Sequence, residues 1–396
     1  MSQAPASETR LDQLTALRFF AALMIVVHHS KAVLGLGSLG MNLGQGVSFF
    51  FVLSGFILTY VYPRLDTPGD KGRFLRARVA RIWPAHAASF LLGFVLVPYT
   101  WEPATAIANL LLVHAWIPQS AYYFSYNGVS WSVSTEAFFY LAFPLLIVGW
   151  QRTWGIKFLA ACVGLAAMLI VVDRLGLPDY GSPPGAESRL TTQHGMVYIH
   201  PATRIFEFIL GMVAATLWQK YRRPLGTATS TALELAALLL CVLALLYGNQ
   251  IARSAQEAFS NEALTLWLSH SGALLAFAVL VVVMANGGGW VSRSLATPAL
   301  VLAGEISFSI YLLHQMLLTV LSRNLSLLTN IPGPVLALGY LVVLLSLSYL
   351  MWVWVEVPGR RWLPGGGPIH GSPAMKGHWT HHSPGGRGAR VAGALL

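Results

Sequence analysis

The chain has 396 residues, of which 55% are hydrophobic and only 10% charged, with a formal charge of +10. Soluble domains carry about 25% charged residues, so a soluble globular enzyme is excluded. The mean hydropathy of +0.61 and the run of long apolar blocks predict an all-α, polytopic membrane protein.

In chain order the apolar blocks fall at 14–34, 46–63, 82–99, 104–117, 131–150, 156–172, 201–218, 230–248, 263–284, 297–321 and 333–355. Residues 1–13 are polar, hold one basic residue (Arg10) and precede no A-x-A site, so the first block reads as a retained helix. The two cysteines, Cys162 and Cys241, both lie in apolar blocks, and a structural disulfide is not expected. Basic residues gather between blocks, at 64–81, 151–157, 219–223 and 293, and in the tail after Glu356. That placement argues against nucleic acid as a partner and marks those loops as cytoplasmic. They can share one side only if one block does not cross. The shortest is 104–117, and a segment of about 10–14 apolar residues is more often re-entrant than spanning. Ten crossings remain, with both termini cytoplasmic. The domain reading is an N-terminal segment 1–13, a membrane domain 14–356 and a disordered basic tail 357–396. The long outer segments 100–130 and 173–200 either cover a polar substrate or merely connect helices. His370, His378, His381 and His382 in the tail have no carboxylate or Cys to complete a ligand set, so no metal is expected.

Polar residues inside the blocks are the candidates for chemistry, because intramembrane charge is expensive. Arg18 and His29 are eleven residues apart, three turns plus roughly 20°, and so share a helix face about 16 Å apart along the axis. His28 points about 100° away. Taken singly, Arg18 fits a snorkelling anchor and His29 a packed histidine; the shared face favours function. Ser54-Gly55 permits close helix approach. Arg73, Arg76, Arg78 and Arg81 lead into Ile82-Trp83-Pro84, either as a topology signal or as a phosphate clamp. Trp131 suits an interfacial belt, and Ser132 can cap the next helix on one face with Glu136 and Tyr140. Glu136 enters at about the depth of His29 and is a candidate to orient it. Ser307, Tyr311 and His314 form a stripe that fits a polar cavity or a satisfied core equally well.

In this order the motifs resemble the acyltransferase family 3 membrane O-acyltransferases. The resemblance runs from about Leu11 to Leu363. It rests on Arg18 with His29, Gly46-Val47 through Ser54-Gly55-Phe56, Arg78-Val79-Ala80-Arg81-Ile82-Trp83-Pro84, Trp131-Ser132 with Glu136 and Tyr140, Gly304 to His314, and Glu356-Val357-Pro358 with Arg360. Many members have Asp where Ser48 stands, a second acid where Ala137 stands, and Tyr where Phe308 stands. The resemblance implies transfer of an acyl group, most simply acetyl, from acyl-CoA to a hydroxyl of a carbohydrate or glycosylated acceptor, at the inner membrane and with no permanently bound cofactor. His29 would be general base or acyl carrier and Glu136 its support. Arg18, Arg78 and Arg81 would bind acyl-CoA. Ser54, Trp131, Ser132, Tyr311 and His314 are candidates for contacts to thioester or acceptor. Other readings are an acyltransferase of a secondary metabolite, and a transporter or flippase, although no inverted repeat is visible.

Overall fold

A computed structural model describes residues 11–35, 40–97, 101–178 and 186–362; residues 1–10 and the His-rich tail from 363 lie outside them. In chain order the helices are α1 (Asp12–Leu34), α2 (Gly46–Val61), α3 (Pro68–Leu96), α4 (Pro103–Leu110), α5 (Ser120–Tyr123), α6 (Trp131–Leu146), α7 (Trp150–Arg174), α8 (Pro201–Tyr221), α9 (Thr227–Phe259), α10 (Glu262–Ser271), α11 (Leu274–Asn286), α12 (Trp290–Leu295), α13 (Pro298–Glu305), α14 (Ser307–Arg323), α15 (Gly333–Met351) and α16 (Val357–Trp362). Among the described residues, eight helical segments are long and apolar enough to cross a membrane, and the bent pair α13–α14, taken as one span, makes a ninth. The tenth expected crossing, α6, has 16 residues and a length of about 24 Å. The contested block 104–117 breaks into the eight-residue α4 and a 3-10 turn at His114–Trp116, neither long enough to cross.

Several boundaries differ from the sequence reading, for identifiable reasons. The basic stretch before Ile82 is not a loop: α3 starts at Pro68. Thr67 Oγ1 accepts from the Asp70 N–H while Asp70 Oδ2 accepts from the Thr67 N–H, both at 3.1 Å, a capping box with proline at the first turn. All four arginines from 73 to 81 are therefore helical. The stretch 249–262, expected as a loop, is mostly the end of the 33-residue α9. Residues 357–362, assigned above to a disordered tail, form α16. Arg360 binds Glu356 at 2.8 Å and Glu305 at 3.6 Å.

The centre of the bundle is a tight pair. A Cβ on Gly55 would fall on the Phe208 carbonyl oxygen, and one on Gly211 on the Val52 carbonyl oxygen, so α2 and α8 touch backbone to backbone. Aromatic side chains fill the adjacent core, with Phe139 stacked on Phe208 at 4.9 Å. The line α13–α14 bends by 56° at Ile306. Gly304 lies on α1, where a Cβ would strike the Thr15 carbonyl. The long segments 101–130 and 186–200 pack on each other: Arg189 binds Glu102 at 3.0 Å, and Gln119 and Thr191 form an isolated bridge. Asn127 donates to the Leu312 carbonyl at 3.0 Å, which fixes this layer over α14.

Candidate active site

Five parts of the bundle open between them a cavity of about 310 Å³. α1 contributes Arg18, α2 contributes Phe50 and Ser54, α3 contributes Arg78 and Arg81, and α6 contributes Ser132, Glu136 and Tyr140. Glu305 and Tyr311 enter from the two sides of the α13–α14 bend. Helical spacing explains the convergence. Arg78 and Arg81 are three residues apart, and Ser132, Glu136 and Tyr140 are four apart, so each set lines one face. On α2, Gly55 is taken up by the contact with α8, and its neighbour Ser54 faces the cavity.

The cavity wall holds three guanidinium groups, Arg18, Arg78 and Arg81, against two carboxylates, Glu136 and Glu305. Glu136 accepts from Tyr140 Oη at 2.5 Å and from Ser54 Oγ at 3.3 Å. Glu305 lies 3.6 Å from Arg360, whose stronger partner is Glu356. Arg78 donates to Tyr62 Oη at 3.2 Å and lies over the Tyr62, Phe74 and Tyr140 rings at 5.5, 5.9 and 5.8 Å. Among the described residues, Arg18 and Arg81 form no ion pair with a carboxylate within 4 Å. Guanidinium groups that border open space and make no close ion pair are what an anionic guest needs.

His29 is not in the cavity wall. Its Nδ1 lies 2.8 Å from Nε2 of His314, and the two rings stack with centroids 5.1 Å apart. Tyr311 stands between this pair and the cavity. Its ring is 5.7 Å from that of His314 and 6.2 Å from that of Phe50, which also lines the cavity. Tyr311 Oη meets Ser132 Oγ at 2.7 Å. His28 is exposed, with its ring 5.2 Å from that of His29.

The structure thus gathers Arg18, Arg78, Arg81, Ser54, Ser132, Glu136 and Tyr311, and sets His29 and His314 together beyond them. Three expectations change. His29 bonds to His314, whereas the bonds of Glu136 go to Tyr140 and Ser54. Ser132 does not cap α6: the N-cap is Ser130, and Ser132 Oγ donates to the Val129 carbonyl at 3.0 Å. Trp131 is not an interfacial anchor but is 4% exposed, packed on Tyr198 and Phe51.

The sequence reading passed over a second charged centre. Arg204 and Glu207, both on α8 and both without exposure, form an ion pair at 2.8 Å. Arg204 also donates to Ser48 and Ser271, and lies over the Phe51 and Tyr198 rings at 5.1 Å each. Ser48 Oγ donates to Glu207 at 3.3 Å, so a carboxylate from α8 stands beside the position where many members of the family named above carry Asp. The signal was available, an Arg and a Glu three apart within block 201–218. In the layer over the bundle, burial pushes the His114 imidazole down to about 3. It is a neutral strut whose Nε2 lies 3.1 Å from Ser130 Oγ. No group of three or more His, Cys, Asp or Glu able to hold a metal occurs among the described residues.

Comparison with known proteins brings a family model described as an acyltransferase domain, which matches residues 11–353. The acyltransferase MdmB of Streptomyces mycarofaciens is 30% identical over 342 residues, 79% of this chain and 80% of that protein. The O-acetyltransferase OatA of Staphylococcus aureus is 23% identical over 385 residues, 89% of this chain and 57% of that protein. The putative peptidoglycan O-acetyltransferase YrhL of Bacillus subtilis is 25% identical over 328 residues, 76% of this chain and 47% of that protein. This chain thus spans about half the length of the latter two. No solved structure matches.

Proposed function

Since the chain belongs to acyltransferase family 3 and is a membrane O-acyltransferase, we propose that it moves an acyl group, most simply acetyl, from cytoplasmic acyl-CoA to a hydroxyl of a carbohydrate or glycosylated acceptor. The observation that carries this reading is the cavity in which Arg18 and Arg81 make no ion pair within 4 Å among the described residues, at the far end of the helix that also carries His29. The diphosphate of CoA is the anion proposed for Arg78, Arg81 and Arg18. The pantetheine arm then runs along α1 toward Tyr311 and Ser132, and the thioester passes Phe50 and Tyr311 to reach His29. His29 takes the proton of the acceptor hydroxyl as its oxygen attacks the thioester carbon. The C–S bond breaks, and the CoA thiolate leaves with that proton. An acyl-His29 intermediate is the variant route. Glu136, bonded to Tyr140 and Ser54, balances the guanidinium charge of the cavity in this scheme rather than orienting the base. The carbohydrate acceptor is supported by the peptidoglycan named for the Bacillus relative. The membrane proposed is the inner membrane, with Arg18 at the cytoplasmic end of α1.

Two experiments test the proposal. Membranes bearing the protein should release CoA from acetyl-CoA only when a glycan acceptor is present, and His29→Ala membranes should not. CoA release that ignores both would reject it. Single cysteines at Ala104 and Asp66, both exposed, should label from opposite sides of the membrane, with Asp66→Cys reached from the cytoplasm. Labelling of both from one side would overturn the orientation.

A further inference from the structure

The hydrogen bonds around His314 fix where protons must sit. His314 Nδ1 lies 2.6 Å from the Tyr311 backbone carbonyl oxygen, which can only accept. That nitrogen therefore carries a hydrogen. Its other nitrogen, Nε2, faces His29 Nδ1 at 2.8 Å. A neutral His314 then has only a lone pair at Nε2, and the hydrogen between the rings must belong to His29 Nδ1. A neutral His29 protonated at Nδ1 has its Nε2 bare.

His314 is itself held. It is buried, its carbonyl accepts from Tyr340 Oη at 3.0 Å, and the Leu312 carbonyl two residues earlier accepts from Asn127. Titratable groups facing the pair are His28, on the same helix as His29, Tyr311, on the same helix as His314, and Tyr340 from α15. Among the described residues, neither His29 nor His314 has a carboxylate hydrogen-bond partner.

We infer that His314 is a positioning residue that selects the Nδ1–H form of His29 and so presents His29 Nε2 as the base. The inference rests on the reading of His29 as general base and adds the device that orients it. In the transfer step, the acceptor proton moves to His29 Nε2, and the Nδ1–H of the resulting imidazolium stays directed at His314 Nε2. A carboxylate is the usual partner in that place. Here a second imidazole takes it, anchored by a backbone carbonyl.

The test combines substitution with spectroscopy on the full-length protein in detergent or nanodiscs. His314→Ala removes the acceptor, whereas His314→Gln can offer an amide oxygen to His29 Nδ1–H. His314→Ala should lower kcat by about 10²–10⁴-fold, with KM for acetyl-CoA and thermal stability near those of the parent. His314→Gln should recover part of the lost rate. Nitrogen NMR of histidine-labelled parent protein, with the His29 signal assigned by its loss in His29→Ala, should give Nδ1 protonated and Nε2 bare. This measurement needs no folded His314 variant. A His29 signal protonated at Nε2 would overturn the inference, as would a His314→Ala kcat equal to the parent's, or equal losses in the Ala and Gln variants. An active His29→Ala enzyme would instead sink the underlying reading of the base, so the two failures are distinguishable.

Discussion

Two arginine centres lie inside this bundle, and they differ in what surrounds them. Arg204 is closed in: Glu207 at 2.8 Å, serine hydroxyls and two aromatic faces use its charge, and no exposure remains. Arg18 and Arg81 border a cavity, make no ion pair among the described residues, and share it with Glu136 and Glu305. The first arrangement has the composition of a structural staple and the second that of a binding site. Intramembrane charge alone does not separate them; the partner inventory does. The terminal nitrogens of Arg204 are spent on Glu207, Ser271 and Ser48, and its Nε is buried without an acceptor, whereas an arginine facing open space has its capacity in reserve.

The largest effect expected lies outside both centres and sets the scale for them. His29→Ala should give a folded, membrane-inserted protein that still binds CoA but transfers nothing detectable, since a general base contributes about 10²–10⁴-fold. His28→Gln, altering an exposed ring in the same turn, should stay within a few-fold of the parent. If the ranking of these two variants in CoA release were reversed, the wrong face of α1 has been chosen.

The closed centre comes next. Arg204→Ala should destabilise the protein by about 3–5 kcal/mol, because it strands a buried Glu207 carboxylate. Arg204→Met combined with Glu207→Leu should recover most of that loss. A melting curve for Arg204→Ala that matches the parent, accompanied by lost donor affinity, would make Arg204 a ligand group and erase the contrast.

At the open centre the signs are opposite. Arg81→Ala should melt like the parent but bind acetyl-CoA about tenfold or more weakly, as loss of a charge-assisted hydrogen bond predicts. Binding should also become less dependent on salt. Arg78→Ala should do the same with some loss of stability, because this side chain also covers the Tyr62 and Phe74 rings. Normal CoA affinity in both variants would reduce the basic run to a topology signal.

The smallest change is assigned to Glu136→Gln. An amide oxygen can still accept from Tyr140, so kcat should fall far less than in His29→Ala, and the shift should appear mainly in KM for the donor. A loss as deep as that of His29→Ala would return the carboxylate to the role of supporting the imidazole.

Much of this organisation was legible in the residues. A span needs about twenty apolar residues, and ten such blocks, from 14–34 to 333–355, reappear as helices. The short block 104–117 stood out by the same arithmetic. Face periodicity aligned Ser132, Glu136 and Tyr140 correctly, and separated His29 from His28. What periodicity cannot give is which helix lies opposite. The partner of His29 arrives from 285 residues away, so Glu136 and His314 could not be ranked beforehand. Hydropathy also hid the true start of α3. Its first turns are basic and look like a loop to an apolar window, although Thr67-Pro68-Gly69-Asp70 spells the capping box. Ser132 lost its expected cap for a related reason: the segment before it turns through Asn127 and Ser130, moving the helix start back to Trp131.

The reciprocal glycine contact between α2 and α8 has a mechanical consequence. Two rods whose backbones touch at two levels cannot roll or slide without driving a carbonyl into the opposite helix. Phe50, Ser54 and the Arg204–Glu207 pair therefore travel as a single body. Across the passage, Tyr311 rides on α14, just past the 56° break at Ile306, where the helical hydrogen-bond ladder is already interrupted. The clasped pair is the fixed jaw of a vice and the broken helix is the jaw with play in it. On the route proposed above, the clearance that a thioester requires between Phe50 and Tyr311 would come from the α14 side.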